Sequence, residues 1–210
     1  MTTDLNPLPA LIIFVKPPVL GAVKTRLASS IGDQRALEVY LNLLQITDQA
    51  TRQVRAKRYL YVATEKTTLE TTTALFHDHN CFADHEVTFK LQQGQTLGDR
   101  MHHALGEVLS LHKQAILIGS DLPSLNPKHL EDGFESLIES DLVLGPSEDG
   151  GYYLIGLKSL EYHLFENIDW STEKVFGQTL DRAENLKLRM AFLPIARDID
   201  TEEDLIASGL

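Results

Sequence analysis

The sequence predicts an α/β protein, a three-layer α/β/α sandwich with a mostly parallel sheet, on three observations. Short apolar runs of strand length recur along the chain. Segments of helical periodicity separate them at the spacing of strand–helix units. No internal repeat, low-complexity tract or linker interrupts the alternation, so residues 1–210 are expected to form one domain.

Taken in order, Ala10–Val15 is the first strand, an apolar run that ends abruptly in a proline-broken loop. That loop delivers Lys24, Thr25 and Arg26 to the threshold of a helical pattern. Asp33–Val54 carries Leu37, Tyr40, Leu41 and Leu44 at helical spacing. Arg58–Ala63 is a second strand. Thr67–His79 reads as a helix despite threonines that weaken it. Val87–Leu91 is a third strand, Leu97–His112 a helix, and Ala115–Ile118 a short, wholly apolar fourth strand. Asn126 and Pro127 read as an N-cap and a first-turn proline, opening a helix to Glu139. Leu142–Leu144 and, after a Gly-Gly turn, Tyr152–Leu157 are the fifth and sixth strands. Ser171–Glu184 is expected to be helical, Leu188–Leu193 a strand and Thr201–Ala207 a final helix.

Composition narrows the function. The net charge of −11 opposes a phosphate backbone, and the basic residues form no long run, so nucleic acid is not an expected partner. A small anionic ligand needs only a few local cations and a metal, which surplus carboxylates can hold. The single cysteine, Cys81, excludes an internal disulfide and a cysteine zinc site. The longest apolar run, Leu11–Val15, is too short to span a bilayer. The start carries Asp4 and Pro7 without a basic stretch, unlike a signal peptide. A cytoplasmic location is the expectation.

In a parallel sheet, ligands sit beyond the carboxyl ends of the strands. Four segments fall there. Lys16–Arg26 brings cations and backbone N–H groups to a helix start, as phosphate sites do; Lys16, Gly21, Lys24, Thr25 and Arg26 are candidate phosphate ligands. Asp121, with Ser120 and Gly119 beside it, can ligate Mg²⁺ or Mn²⁺; it can also cap the turn before Pro123. Asp149-Gly150-Gly151-Tyr152 is either a geometric hairpin turn or the acceptor side of a site. Asp200, three residues before Glu203, fits a helix N-cap; Asp198 is not explained that way and can reach a metal shared with Asp121. Outside these four segments, Gly98 and Arg100 open a helix where a cation opposes the helix dipole. Arg100 then serves a phosphate, or pairs on the surface with Asp99 or Glu107. Trp170 packs beside a helix cap at Ser171-Thr172 or stacks on a ligand.

Several motifs are missing. Lys24-Thr25 lacks P-loop spacing, no G-x-G-x-x-G follows the first strand, and no G-x-S-x-G occurs. These absences count against P-loop proteins, dinucleotide oxidoreductases and α/β-hydrolases.

Six stretches covering nearly the whole chain together resemble one bacterial family. They are Lys16-Pro17 with Gly21–Leu27, Gln93-Gly94 with Leu97–Met101, Gly119–Pro123, Gly145-Pro146 with Asp149–Tyr152, Trp170–Thr172, and Asp198–Thr201 with Asp204-Leu205. That family, long catalogued as a domain of unknown function, is now labelled a glycosyltransferase or selenodomain-associated transferase. It belongs to the GT-A (Rossmann-like) nucleotide-diphospho-sugar transferase superfamily. The molybdenum-cofactor and phospholactate guanylyltransferases of that superfamily are more distantly similar. Their first loop is glycine-rich, whereas here it holds Pro17, Pro18 and Gly21 alone.

The resemblance implies a nucleotide-dependent transferase with a divalent metal. The first reading is a GT-A glycosyltransferase passing a sugar from a nucleotide sugar to a small-molecule acceptor. Asp121, with Asp198 or Asp200, would hold the metal. Lys24 and Arg26 would neutralise phosphate, and Asp149 would orient the acceptor or act as base. The second is a nucleotidylyltransferase joining an NTP to a phosphorylated small molecule, ranked lower because the glycine-rich loop is absent. The third, a binding module without turnover, ranks last because all the candidate acids are present.

Overall fold

The computed structural model describes residues 7–63, 68–84 and 86–210. Asp4 and Thr67, used in the sequence reading of the N-terminus and of the third helix, lie outside them. The strands are β1 (Ala10–Val15), β2 (Lys57–Val62), β3 (Val87–Leu91), β4 (Ala115–Ile118), β5 (Leu142–Pro146), β6 (Tyr152–Leu157) and β7 (Met190–Phe192). The helices are α1 (Thr25–Ile31), α2 (Asp33–Arg52), α3 (Leu69–Asp78), α4 (Leu97–Leu109), α5 (Pro127–Glu139), α6 (Val175–Asn185) and α7 (Glu202–Ser208), with a 3₁₀ turn at Tyr162–Phe165.

The strands form one sheet in the order β3-β2-β1-β4-β6-β5-β7. All neighbours are parallel except β6, which runs against both β4 and β5. β1 lies inside the sheet, so both its faces are covered and its apolar run is continuous. Leu11, Ile13 and Val15 enter the core beneath α2, α3 and α5, with Tyr40, Leu44, Phe76 and Leu130. Ala10 and Ile12 face the layer of α4 and α6, with Met101, Leu105 and Ala183. A third cluster, Leu27, Ala36, Val39, Leu43 and Ile199, fastens α1 and the approach to α7 onto α2. Thus Ile199 anchors Asp198 and Asp200, its neighbours on either side. Among the described residues, no helix is long and apolar enough to cross a membrane.

The main departure from the sequence reading is at α6, which starts at Val175 instead of Ser171. Ser171 is in the left-handed region at φ 66°, and the Thr172 hydroxyl donates to the Asp169 carbonyl at 2.7 Å. These residues form a loop of their own before the helix. At the last helix the capping box is Thr201 with Asp204, not Asp200 with Glu203. α4 ends at Leu109, short of His112. There, the His112 Nδ1–H donates to the Leu8 carbonyl at 2.6 Å and Nε2 accepts from the Tyr59 hydroxyl at 2.9 Å, which ties the chain to the start of β1.

Candidate active site

The loop after β1 is shaped before it reaches any ligand. Tyr40, buried on α2, accepts from the Lys16 N–H at 2.9 Å and donates to the Lys16 carbonyl at 2.8 Å. The Ser120 hydroxyl, just past β4, completes the set, and burial with the nearby Asp121 carboxylate holds the phenol protonated well above its usual range. One tyrosine therefore clamps the ends of β1 and β4 together. Its position on the apolar stripe of α2 marks it only as core in the sequence.

Lys24 caps α1 in a left-handed conformation, φ 48° and ψ 43°. A non-glycine residue is rarely held there without compensation. Here the compensation is electrostatic. The side chain is 5% exposed, and its Nζ lies 2.6 Å from Asp121 Oδ1 and 3.5 Å from Asp200 Oδ1. It also donates to the Ile199 carbonyl at 2.5 Å. Lys24 thus does not stand free to meet phosphate; it is an internal counter-ion joining the ends of β4 and the β7–α7 connection. Asp121 does not cap the turn before Pro123, because its carboxylate is engaged by Lys24. Arg26, exposed on α1, reaches Asp200 Oδ2 at 3.4 Å.

Asp198 belongs to the same group. Burial pushes its carboxyl up to about 6, and the carboxylates of Asp149, Asp200 and Asp121 push in the same direction. Asp149 is pinned by its own turn: its Oδ1 accepts from the Ser147 hydroxyl at 2.5 Å and the Gly151 N–H at 2.9 Å. The loop is zipped to the segment leading to Asp198 by Glu148 N–H to the Ala196 carbonyl at 3.0 Å and by Arg197, whose Nε and Nη2 both lie 2.6 Å from Glu148 Oε2.

Among the described residues, no three His, Cys, Asp or Glu side chains are set as a ready metal cage. The donor chemistry nevertheless fits a hard divalent cation. Asp121, Asp149, Asp198 and Asp200 stand against Lys24 and Arg26, an all-oxygen group with surplus negative charge. Mg²⁺ and Mn²⁺ typically use one or two protein carboxylates and complete their shell with water and substrate phosphate.

The other candidates are distributed as follows. Lys16, Gly21 and Thr25 are exposed along the first loop and the start of α1. Arg100 pairs with neither Asp99 nor Glu107; its Nε donates to the Gly94 carbonyl at 3.1 Å. Asp99 closes the capping box with Thr96, and Glu107 is taken by Lys90 at 2.5 Å and Tyr61 at 2.7 Å. Gly98 is buried against the Trp170 indole: a Cβ built there would lie 2.7 Å from the ring. Gly150 and Gly151 turn the chain into β6. Tyr152 opens β6 at this edge, but its side chain turns away from the site. Its hydroxyl points into the helix layer, toward Met101 Sδ at 4.0 Å and the Thr179 side chain, because it opens β6 on the α4/α6 face.

Comparison with known proteins places this geometry among relatives. A protein from Desulfovibrio desulfuricans G20, a candidate nucleotide-diphospho-sugar transferase, superimposes with a TM-score of 0.86 at 30% identity, covering 94% of this chain and 84% of that one. The 2-phospho-L-lactate guanylyltransferase of Methanocaldococcus jannaschii is 28% identical over 201 residues, 92% of this chain and 79% of the relative. The inositol-1-phosphate CTP transferase from T. maritima shares the fold, with a TM-score of 0.59 at 16% identity over 94% of this chain and 91% of that one. Residues 46–172 match the model of a bacterial family described as "Uncharacterized protein conserved in bacteria (DUF2064)". That match spans more than half of the chain, which therefore belongs to this family and is a transferase of the nucleotide-diphospho-sugar transferase fold.

Proposed function

We propose that the chain, as one domain over residues 1–210, is a metal-dependent nucleotidylyltransferase that joins an NTP to a phosphorylated small molecule and releases pyrophosphate. The observation that carries this reading is the Asp121–Lys24–Asp200 ion-pair chain, with Asp198 beside it, where β1, β4 and β7 end. Likeness to phospholactate guanylyltransferases along most of both chains supports it and makes GTP the first donor to test. The order of the two leading readings from sequence is thereby reversed. The missing glycine-rich loop loses its weight, because exposed side chains at the same edge, Lys16 and Arg26, supply positive charge that backbone N–H groups would otherwise provide.

In this reaction an oxygen of the acceptor phosphate attacks the α-phosphorus. A new phosphorus–oxygen bond forms as the bond to the bridging oxygen of the β-phosphate breaks, and pyrophosphate leaves with that electron pair. Lys16 and Arg26 bind the phosphate chain. Lys24 fixes the Asp121 and Asp200 carboxylates in direction. Asp121 and Asp198 would hold Mg²⁺ or Mn²⁺, which when bound neutralises charge developing on the departing phosphate. Asp149, immobilised by Ser147 and Gly151, orients the acceptor. Glycosyl transfer from a nucleotide sugar is the second reading, favoured by the likeness to the Desulfovibrio protein.

The test is pyrophosphate release from each NTP with Mg²⁺ or Mn²⁺ and a panel of phosphorylated acids that includes 2-phospho-L-lactate. Release that depends on both acceptor and metal, and that falls at least about 100-fold in Asp121→Asn, supports the proposal. Turnover of a nucleotide sugar to a nucleoside diphosphate without pyrophosphate rejects it in favour of glycosyl transfer.

A further inference from the structure

The connection between the 3₁₀ turn and α6 crosses the ligand edge and touches both halves of the site. On one side Trp170 lies on Gly98, in the first turn of α4, so closely that only glycine leaves room for the ring. On the other, the Glu173 backbone fills the space a side chain at Gly150 would need, and Gly150 itself sits at φ 86°. The Phe176 N–H then donates to the Gly150 carbonyl at 2.8 Å.

Between these contacts the segment is stiff. Asp169 N–H donates to Gln178 Oε1 at 2.7 Å, and Gln178 Nε2 returns to Asp169 Oδ2 at 3.1 Å. A packed, hydrogen-bonded path thus joins Trp170 to Gly150. The two points it joins are the start of α4, which carries Arg100, and the turn that pins Asp149.

We propose that Trp170 is a positioning residue that couples the two halves of the site, so that nucleotide seated at the first turn of α4 tightens the Asp149 turn and readies it for the acceptor. The proposal rests on the nucleotide-transferase reading above. It assigns Trp170 a wedge role instead of stacking on substrate. Couplings of this kind typically alter affinity about 5–150-fold.

Hydrogen exchange with and without Mg²⁺-GTP tests it without an acceptor. The readouts are the amides of Gly151 and Phe176, which bond within the turn and to it. Emission of Trp170, the only tryptophan in the chain, is followed in parallel. In the wild type, nucleotide should slow exchange at both amides about tenfold and shift the emission. Trp170→Ala should still bind nucleotide within about threefold yet lose the protection, whereas Trp170→Phe, which keeps a ring on Gly98, should retain most of it. Gly98→Ala is the second perturbation, displacing the indole without removing it, and should also lose the protection. Full protection in Trp170→Ala or Gly98→Ala overturns the coupling. So does wild-type protection that stops at α4. If no NTP or nucleotide sugar protects α4 or changes the emission, and no pyrophosphate is released, the nucleotide reading itself fails and the coupling with it.

Discussion

Asp198→Asn removes one charge from the carboxylate group while keeping the side chain's shape. In the folded protein the Asp198 carboxyl is raised from 3.8 to about 6. Folding therefore has to ionise it at neutral pH in a half-buried place beside other carboxylates. At about 1.4 kcal/mol per pH unit, the difference corresponds to about 3 kcal/mol. Partial access to water lowers the expectation to about 1–3 kcal/mol. The sign follows from linkage: the folded state holds this proton more tightly than the unfolded state. The wild type has its full contribution below about pH 4 and loses it as pH rises to about 6. Asparagine has no such proton. The variant should match the wild type near pH 4 and exceed it at about pH 7.5, by about 2–10 °C in Tm for a chain of this size. Calorimetric melts at both pH values, with chelator present, measure this. Mn²⁺ should then narrow the gap by stabilising the wild type more than the variant. Equal stability at about pH 7.5, or the same advantage at both pH values, would refute the argument that Asp198 is a strained member of the group.

Two further outcomes follow from contacts outside the carboxylate group. Tyr40→Phe leaves the Lys16 N–H and carbonyl without their partner and should cost about 1–3 kcal/mol in urea denaturation; steady-state kinetics should show a higher KM for nucleotide. Arg58→Met is the control at the opposite sheet edge. Arg58, buried at the start of β2, binds Asp48 at 3.1 Å and Asp84 at 2.6 Å, so its loss leaves the buried Asp48 carboxylate to Arg52 and the Phe82 N–H alone. The expected cost is about 1.5–3 kcal/mol, with kcat of the folded fraction unchanged.

What the sequence revealed depended on how local the determining contacts are. β1, β3, β4 and β6 begin and end where their runs of strand residues do, and α5 begins where Asn126 and Pro127 announce it. Such signals lie within a few residues of the element they set. The start of α6 is different. Ser171-Thr172 is good capping chemistry, yet Trp170 is committed to Gly98 and Thr172 to Asp169, so the chain stays non-helical up to Lys174. Likewise Asp200 is drawn to Lys24 and Arg26, and the cap of α7 moves to Thr201. The candidate segments could be grouped because strand ends gather at one edge, but their partners could not be read. Lys24 finds Asp121 and Asp200 far along the chain, and spacing carries no trace of that pairing. The reversed direction of β6, by contrast, was legible in the short Gly-Gly turn after β5, which leaves no room for the crossover that parallel neighbours need.

That reversal has a consequence for the path of the chain. Every parallel strand finishes at the ligand edge, but β6 starts there at Tyr152 and finishes at the far edge, where Leu157 pairs with Ala115. α6 starts at the ligand edge, where Phe176 meets Gly150, and leads down to β7, which must climb parallel to β5. The chain is thus obliged to make an ascent between β6 and α6 that no ordinary strand–helix unit requires. Residues 158–174 are that ascent, and its summit is Trp170. One border of the candidate site is therefore made from a detour that the topology imposes in any case. Its sequence can change while the sheet and the edge that carries Lys24 and Asp121 stay as they are.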